Sequence, residues 1–232
     1  MADSTRIRLS KLEGTVDQME AFKVTASDDA LLDAASSVWK QAASARIDMI
    51  PAPLEMVEEV SAFLARSQGH GVVKRLDAAA LHNSRTLALR LSWQSERNAE
   101  IRDLNQFVDG AAVLFPLAPG ANAVTMGAAG EPVNGWFWRA NRDLPHEVVA
   151  EGFGAVRRLA KGDGGGLAAR ATHGEGRWTV IFRRPMAGVH GQAPFTAGRK
   201  TGIAFAVWNG ANAERSGRKS FSGDFVDFSV GK

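Results

Sequence analysis

The chain has 232 residues, 45% of them hydrophobic and 23% charged, with a formal net charge of +3, a globular balance with enough apolar material for one substantial core. It has no cysteine, which excludes disulfides, thiolate zinc sites, iron–sulfur ligation and covalent c-type haem attachment within this chain. No stretch approaches the length of a membrane-spanning helix and the opening MADSTRIRLSKLEG has no apolar leader core, so the polypeptide as given reads as soluble: cytoplasmic, processed, or exported with a partner.

Charge is unevenly spread. From Asp17 to Glu59 there are nine acidic and three basic residues, and from Arg139 to Lys219 fourteen basic and six acidic. The basic residues are scattered between strand-like segments, which argues for a solvated or partner-docking face and against nucleic-acid binding.

In chain order, residues 1–20 read as an extended N-terminal segment of a single domain spanning 1–232. Asp29–Lys40 is a candidate short helix and RIDMI at 46–50 a strand. Pro53–Arg66 has the marks of a second helix: a proline at its start, glutamates in its first turns, and Leu54, Val57, Val60, Phe63 and Leu64 at helical spacing. Strands follow at 86–93, 111–117, 133–140, 166–171, 177–184, 202–209 and 224–230, separated by glycine-rich turns such as Gly162–Gly166, His173–Gly176 and Gly188–Gly191. Many short strands with such turns predict a mainly β protein, an antiparallel β-sandwich with a few short helices. Within 202–209, Ile203, Phe205 and Val207 share one face and Ala204, Ala206 and Trp208 the other, the pattern of a strand covered on both sides.

Motifs of catalysis are missing. There is no G-x-S-x-G, no G-x-x-x-x-G-K-[ST] and no H-E-x-x-H, and the five histidines are widely separated. No residue is assigned a catalytic role.

Three segments carry a resemblance: FVDGAAVLFPL at 107–117, TMGAAGEPVNGWFWRA at 125–140 and IAFAVWNGANAERSGRKSFS at 203–222. Together and in this order they resemble the haem-binding γ subunits of the ethylbenzene dehydrogenase, dimethylsulfide dehydrogenase, selenate reductase and chlorate reductase group. The resemblance implies a β-sandwich holding one non-covalent haem b, with a methionine and a lysine as axial iron ligands. By position in the matching segments these are Met126 and Lys219, 219 − 126 = 93 residues apart. It also implies a heterotrimer, with the molybdenum cofactor in an α subunit and iron–sulfur clusters in a β subunit. This chain would then exchange electrons with a soluble cytochrome c or similar carrier, in a periplasmic complex.

The residue types suit that chemistry. A thioether is a soft, neutral ligand that raises a reduction potential, and a lysine ligates only as the neutral amine, which burial favours. By type alone Met186 and Lys200 are rivals, but they lie outside the matching segments. Phe115, Trp136, Trp138, Phe205 and Trp208 offer aromatic surface for a porphyrin, with core packing as the competing role. Asn134 is a further pocket candidate, and Arg215 or Arg218 can pair with a haem propionate. Glu214 pairs either with Arg215 or with loop backbone. Two other functions fit the same residues: a haem-free carbohydrate-binding sandwich using Trp136 and Trp138 as a platform, and a structural subunit.

Overall fold

The structure is a computed structural model and describes residues 18–57, 62, 66–96, 107–159 and 166–232. Its strands are β1 (Gln18–Lys23), β2 (Ser44–Asp48), β3 (Ile50–Pro51), β4 (Arg75–His82), β5 (Thr86–Gln94), β6 (Gly110–Pro116) and β7 (Val133–Arg139). They continue with β8 (His146–Ala150), β9 (Val156–Arg158), β10 (Ala168–Gly174), β11 (Arg177–Pro185), β12 (Lys200–Trp208), β13 (Ser220–Phe221) and β14 (Val226–Val230).

One hydrogen-bonded path runs β10-β11-β5-β4-β1-β14-β12-β6-β7-β8-β9. It folds over at β12, whose first half, Lys200–Ile203, pairs with β14, while Ala204–Trp208 pairs with β6 and, on the other edge, with β13. The two layers of a sandwich result, and their inner faces meet through Trp93 against Trp138 and Trp136 against Phe182. Alternation decides which side chains go inward. On β11 the residues Trp178, Val180 and Phe182 are buried, as are Leu87, Leu89, Leu91 and Trp93 on β5. Each such side chain contributes about 1.5–3 kcal/mol when fully buried.

The expected sandwich is borne out, with three differences. First, the sheet is mixed, because β1 lies parallel to both β14 and β4. Second, the predicted 29–40 helix is broken into a helix at Asp28–Leu32 and a 3₁₀ turn at Ser37–Gln41. Ser27 caps the first, and Asp33 Oδ1 accepts the Ala35 N–H before Ser36 caps the second, so local side-chain bonds outcompete a continuous helix. Third, β1, β4, β8, β9 and β13 are additional strands. Of the predicted 53–66 helix, Leu54–Val57 forms a 3₁₀ turn, and residues 58–61 and 63–65 lie outside the described residues. No helix among the described residues is long and apolar enough to cross a membrane.

As expected from its pattern, β12 is covered on both sides. Ile203, Phe205 and Val207 enter the main core, whereas Ala204 and Ala206 face outward into two small apolar clusters. This outer face of β12 and β6 is the floor of the site described next.

Candidate functional site

Met126 stands on the connection between β6 and β7. Asn122 Oδ1 accepts the Val124 N–H at 2.7 Å, the Met126 N–H donates to Ala123 O, and the Gly127 N–H donates to Asn122 O at 2.7 Å. The Met126 carbonyl accepts from Gly152 N–H at 3.0 Å, so its backbone is tied on both sides. These ties hold Met126 at φ +59°, a left-handed conformation that costs a non-glycine residue roughly 1 kcal/mol. Gly127 follows at φ +86°, where a Cβ would lie 2.6 Å from Ala150 O and 2.7 Å from Glu131 O, so only glycine fits. The methionine side chain packs on Leu114, Ala123, Val133, Ala150 and Ala204.

Lys219 closes the loop between β12 and β13, which two buried carboxylates lock in place. Asp109 accepts from Gly210 N–H, Ser95 Oγ and Trp178 Nε1, each at 2.7 Å. Glu214 accepts from the backbone N–H groups of Gly71 at 2.8 Å, Val72 at 3.1 Å and Asn209 at 2.9 Å, and from Asn212 Nδ2. It therefore pairs with loop backbone, the second of its two expected roles. At the end of the loop Lys219 O accepts from Ala52 N–H, and Ser220 pairs with Pro51.

The Lys219 side chain turns back over the β12 face. Its Nζ lies 3.9 Å from Met126 Sδ and 5.5 Å from the centre of the Trp208 ring. The cleft around it is lined by apolar groups, among them Leu54, Leu114, Val124, Phe153, Ala204, Ala206 and Phe221. Burial among them pulls the Lys219 pKa from the ordinary 10.5 down to about 8.

A family model described as ethylbenzene dehydrogenase matches residues 36–166 and 153–220 of this sequence. The chain belongs to the ethylbenzene dehydrogenase family. Among its relatives in this family, the chlorate reductase γ subunit of Ideonella dechloratans is 34% identical over 81% of this chain and 76% of its own length. The dimethylsulfide dehydrogenase γ subunit of Rhodovulum sulfidophilum is 27% identical over 82% of this chain and 71% of its own. A Haloferax mediterranei protein, provisionally named a respiratory nitrate reductase haem subunit, is 34% identical over 65% of this chain. The match spans about half, 54%, of that relative's length. The resemblance drawn from the three segments is thereby borne out. A solved structure from Bacteroides uniformis, provisionally described as carbohydrate-binding, shares the fold at TM-score 0.53 and 9% identity, covering 92% of this chain and 98% of its own.

Of the pocket residues expected for an ethylbenzene dehydrogenase family member, the structure brings Trp208 to the Met126–Lys219 face. There its Nε1 donates to Ser216 O at 2.8 Å and its ring meets Phe137 edge-on. Phe115, Trp136 and Trp138 lie in the inter-layer core, and Phe205 points its ring the same way while its strand borders the cleft. Asn134 is also buried there, its Oδ1 accepting from Arg184 Nη1 and Ala193 N–H. Arg215 stacks over the Phe107 ring at 4.3 Å, and Arg218 donates to Ser67 Oγ and Gln68 O. Both arginines sit on the Lys219 loop. Of the rivals, Met186 is buried in the core and Lys200 is exposed at the start of β12.

Sequence reasoning missed the Asp109 staple and a buried ion pair, Arg184 with Glu147 at 2.8 Å. Alternation on β11 carried a signal for the latter, because Arg184 has the parity of the buried Val180 and Phe182.

Proposed function

We propose that this chain is the electron-transfer subunit of a molybdenum oxidoreductase complex and holds one non-covalent haem b between Met126 Sδ and Lys219 Nζ. One observation carries the reading: two donor atoms of unlike residues, 93 positions apart, approach to 3.9 Å beside a cleft whose lining residues other than Lys219 are apolar. A lysine aimed at a thioether gains little from it, since sulfur is a weak acceptor, and loses hydration. That arrangement makes sense when a metal stands between them.

The residues suit the group. A thioether and a neutral amine are both electron-pair donors, and with a pKa of about 8 roughly a tenth of the Lys219 amine is the free base at neutral pH. The outward alanines of β6 and β12, Ala112, Ala204 and Ala206, leave the floor low. As it stands the cleft encloses about 20 Å³, so a macrocycle would have to displace the Lys219 side chain and separate it from Met126. Bound there, haem supplies a one-electron couple.

The chain's own contribution is to place and protect. Met126 is presented by a loop tied at both sides, Lys219 gives up its proton at Nζ, and Asp109 and Glu214 keep the lysine loop in register. Met126 and Lys219 would both hold the iron, leaving it to pass electrons rather than bind substrate, so the subunit would catalyse no reaction of its own. Its partners would be an iron–sulfur subunit and, through it, a subunit with the molybdenum cofactor, with a cytochrome c or similar protein as the external carrier. The names of the chlorate reductase and dimethylsulfide dehydrogenase relatives, as γ subunits, support this setting. A carbohydrate platform at Trp136 and Trp138 has no support, since both rings are buried.

The visible spectrum of the purified chain tests the proposal. A low-spin b-type spectrum is expected, with haem extractable by acid acetone. Met126→Ala and Lys219→Ala should convert it to high spin or lose the haem, while Met186→Leu and Lys200→Ala leave it unchanged. A folded chain that stays colourless after haem reconstitution would sink the idea.

A further inference from the structure

A second cleft lies on the other layer, on the outer face of β2, β4, β5 and β11. Cross-strand pairing sets two rows of side chains there, Ser44–Ala79–Arg90 and Asp77–Ser92–Thr179. At one end the Asp28–Leu32 helix and the Ser37–Gln41 turn cover the sheet, burying Leu31, Val38 and Trp39 against Leu81 and Ile181. Where that cover stops, a cleft of about 320 Å³ opens, with Ala34 on its wall and Ala79 among its lining. That volume reaches the lower range of small-molecule sites, about 300 Å³ and upward.

Donors outnumber acceptors in this cleft. Arg177 is satisfied, donating to Asp77 Oδ2 at 2.7 Å and to Ser92 Oγ at 3.3 Å. Ser92 Oγ in turn donates to Trp178 O at 2.8 Å. Arg90 is half-buried, its guanidinium carbon 4.9 Å over the Trp39 ring, and it has no hydrogen-bond acceptor or carboxylate partner among the described residues. Burial pulls its guanidinium below the ordinary pKa, with no carboxylate acting in the other direction. The Trp39 indole N–H, on a side chain only 3% exposed, likewise has no acceptor. Of the two, only the Trp39 N–H is fully buried; Arg90 is partly exposed and lines the cleft.

We propose that this cleft is a binding site for a small oxyanion, a carboxylate or phosphate group seated on the Arg90 guanidinium beside Trp39. A guanidinium fork takes two coplanar oxygens of such a group. The Ser44 hydroxyl adds a donor, Thr179 Oγ1 donates to Ser92 Oγ at 3.4 Å, and two guanidiniums against the single carboxylate of Asp77 leave the cleft positive. A divalent cation is disfavoured by the same count. The site is on the opposite layer from Met126 and Lys219, and its test is independent of haem.

The full chain would be titrated with inorganic phosphate and, separately, with succinate, following the Trp39 indole N–H resonance, which is identified by its loss in Trp39→Phe. A saturable shift is expected with at least one anion. Affinity should drop about tenfold or more in Arg90→Gln, as expected for loss of a charge-assisted pair of bonds. Arg90→Lys should retain part of it, which keeps the test decisive if Arg90→Gln fails to fold. Arg46→Gln, which removes the more distant partner of Asp77 at 3.9 Å, should bind as the native chain does. The proposal is overturned if neither anion gives saturation, if sodium chloride at equal ionic strength reproduces the shift, or if both Arg90 variants bind like the native chain.

Discussion

A lysine amine ligates a metal only as the free base, so in the proposed haem site a proton on Lys219 Nζ would compete with iron. With a folded pKa of about 8, the haem-free chain holds that proton at neutral pH, and the proposed ligation would expel it. Haem affinity is therefore expected to fall by about tenfold per pH unit below that pKa and to level off above it. The haem-free fold obeys the same linkage. Its amine titrates at about 8 when folded and at 10.5 when unfolded, so between those values the unfolded chain binds more protons and stability rises with pH. Lys219→Met is expected to abolish both trends, as haem titrations and urea melts across that window would read. On the other side of the cleft, Gly127→Ala forces a Cβ against two carbonyl oxygens at a positive φ. The cost is about 1–3 kcal/mol, placed on the methionine loop. Haem dissociation, followed by transfer to apomyoglobin, is expected to quicken while the far-ultraviolet circular dichroism stays native.

At the scale of elements, the lysine loop depends on Glu214, a residue that touches neither donor atom. Each of its oxygens accepts N–H bonds, from Gly71, Val72 and Asn212 on one and from Asn209 on the other. Glu214→Gln keeps the shape but turns an NH₂ toward an N–H, so one buried donor loses its acceptor. A loss of about 2–3 kcal/mol is expected, or a Tm lower by roughly 4–12 °C, with a faster loss of haem on heating. If the melt and the haem off-rate are both unchanged, the loop is not held by this carboxylate. None of this was legible locally, because the bonds to Gly71 join residues 143 positions apart. The strands with large alternating side chains, such as β6, β7, β11 and β12, were legible. By contrast β4 turns Leu76, Ala78 and Ala80 inward, and alanine carries little strand signal. The parallel pairing of β1 is non-local and leaves no mark in its own residues. Alternation also sorted the aromatic residues onto faces without telling which face was the core. Both faces of β12 are covered, so Phe205 on the inner side and Trp208 on the outer looked alike. Met126 and Lys219 became visible through the matching segments, and nothing in the residue type announces a methionine at positive φ.

For the whole molecule, the two layers are joined by polar groups as well as by the aromatic core. Arg184 of β11 donates to Glu147 of β8 and Asn134 of β7, and its guanidinium lies 5.1 Å from the Trp136 ring centre. It also bonds the carbonyls of Pro185 and Ala193, while Gln192 Nε2 and Trp136 Nε1 complete Glu147. Every described partner is thus matched across the layers, the condition under which a buried pair is tolerable. Removing one member leaves the other charged and dry, at about 3–5 kcal/mol, whereas removing both leaves a neutral contact. Arg184→Met and Glu147→Gln are each expected to lower Tm by on the order of 10 °C. The double variant should recover more than half of that loss, giving a coupling of about 2 kcal/mol or more in a denaturation cycle. Additive losses would mean that the pair does not act as a unit and that the aromatic core alone sets how β11 lies against β7 and β8. The network is remote from Lys219, so the haem spectrum of each variant should match the native one at temperatures where the chain stays folded. A shifted spectrum in Arg184→Met would instead show that layer packing reaches the cleft through β7 and the methionine loop that precedes it.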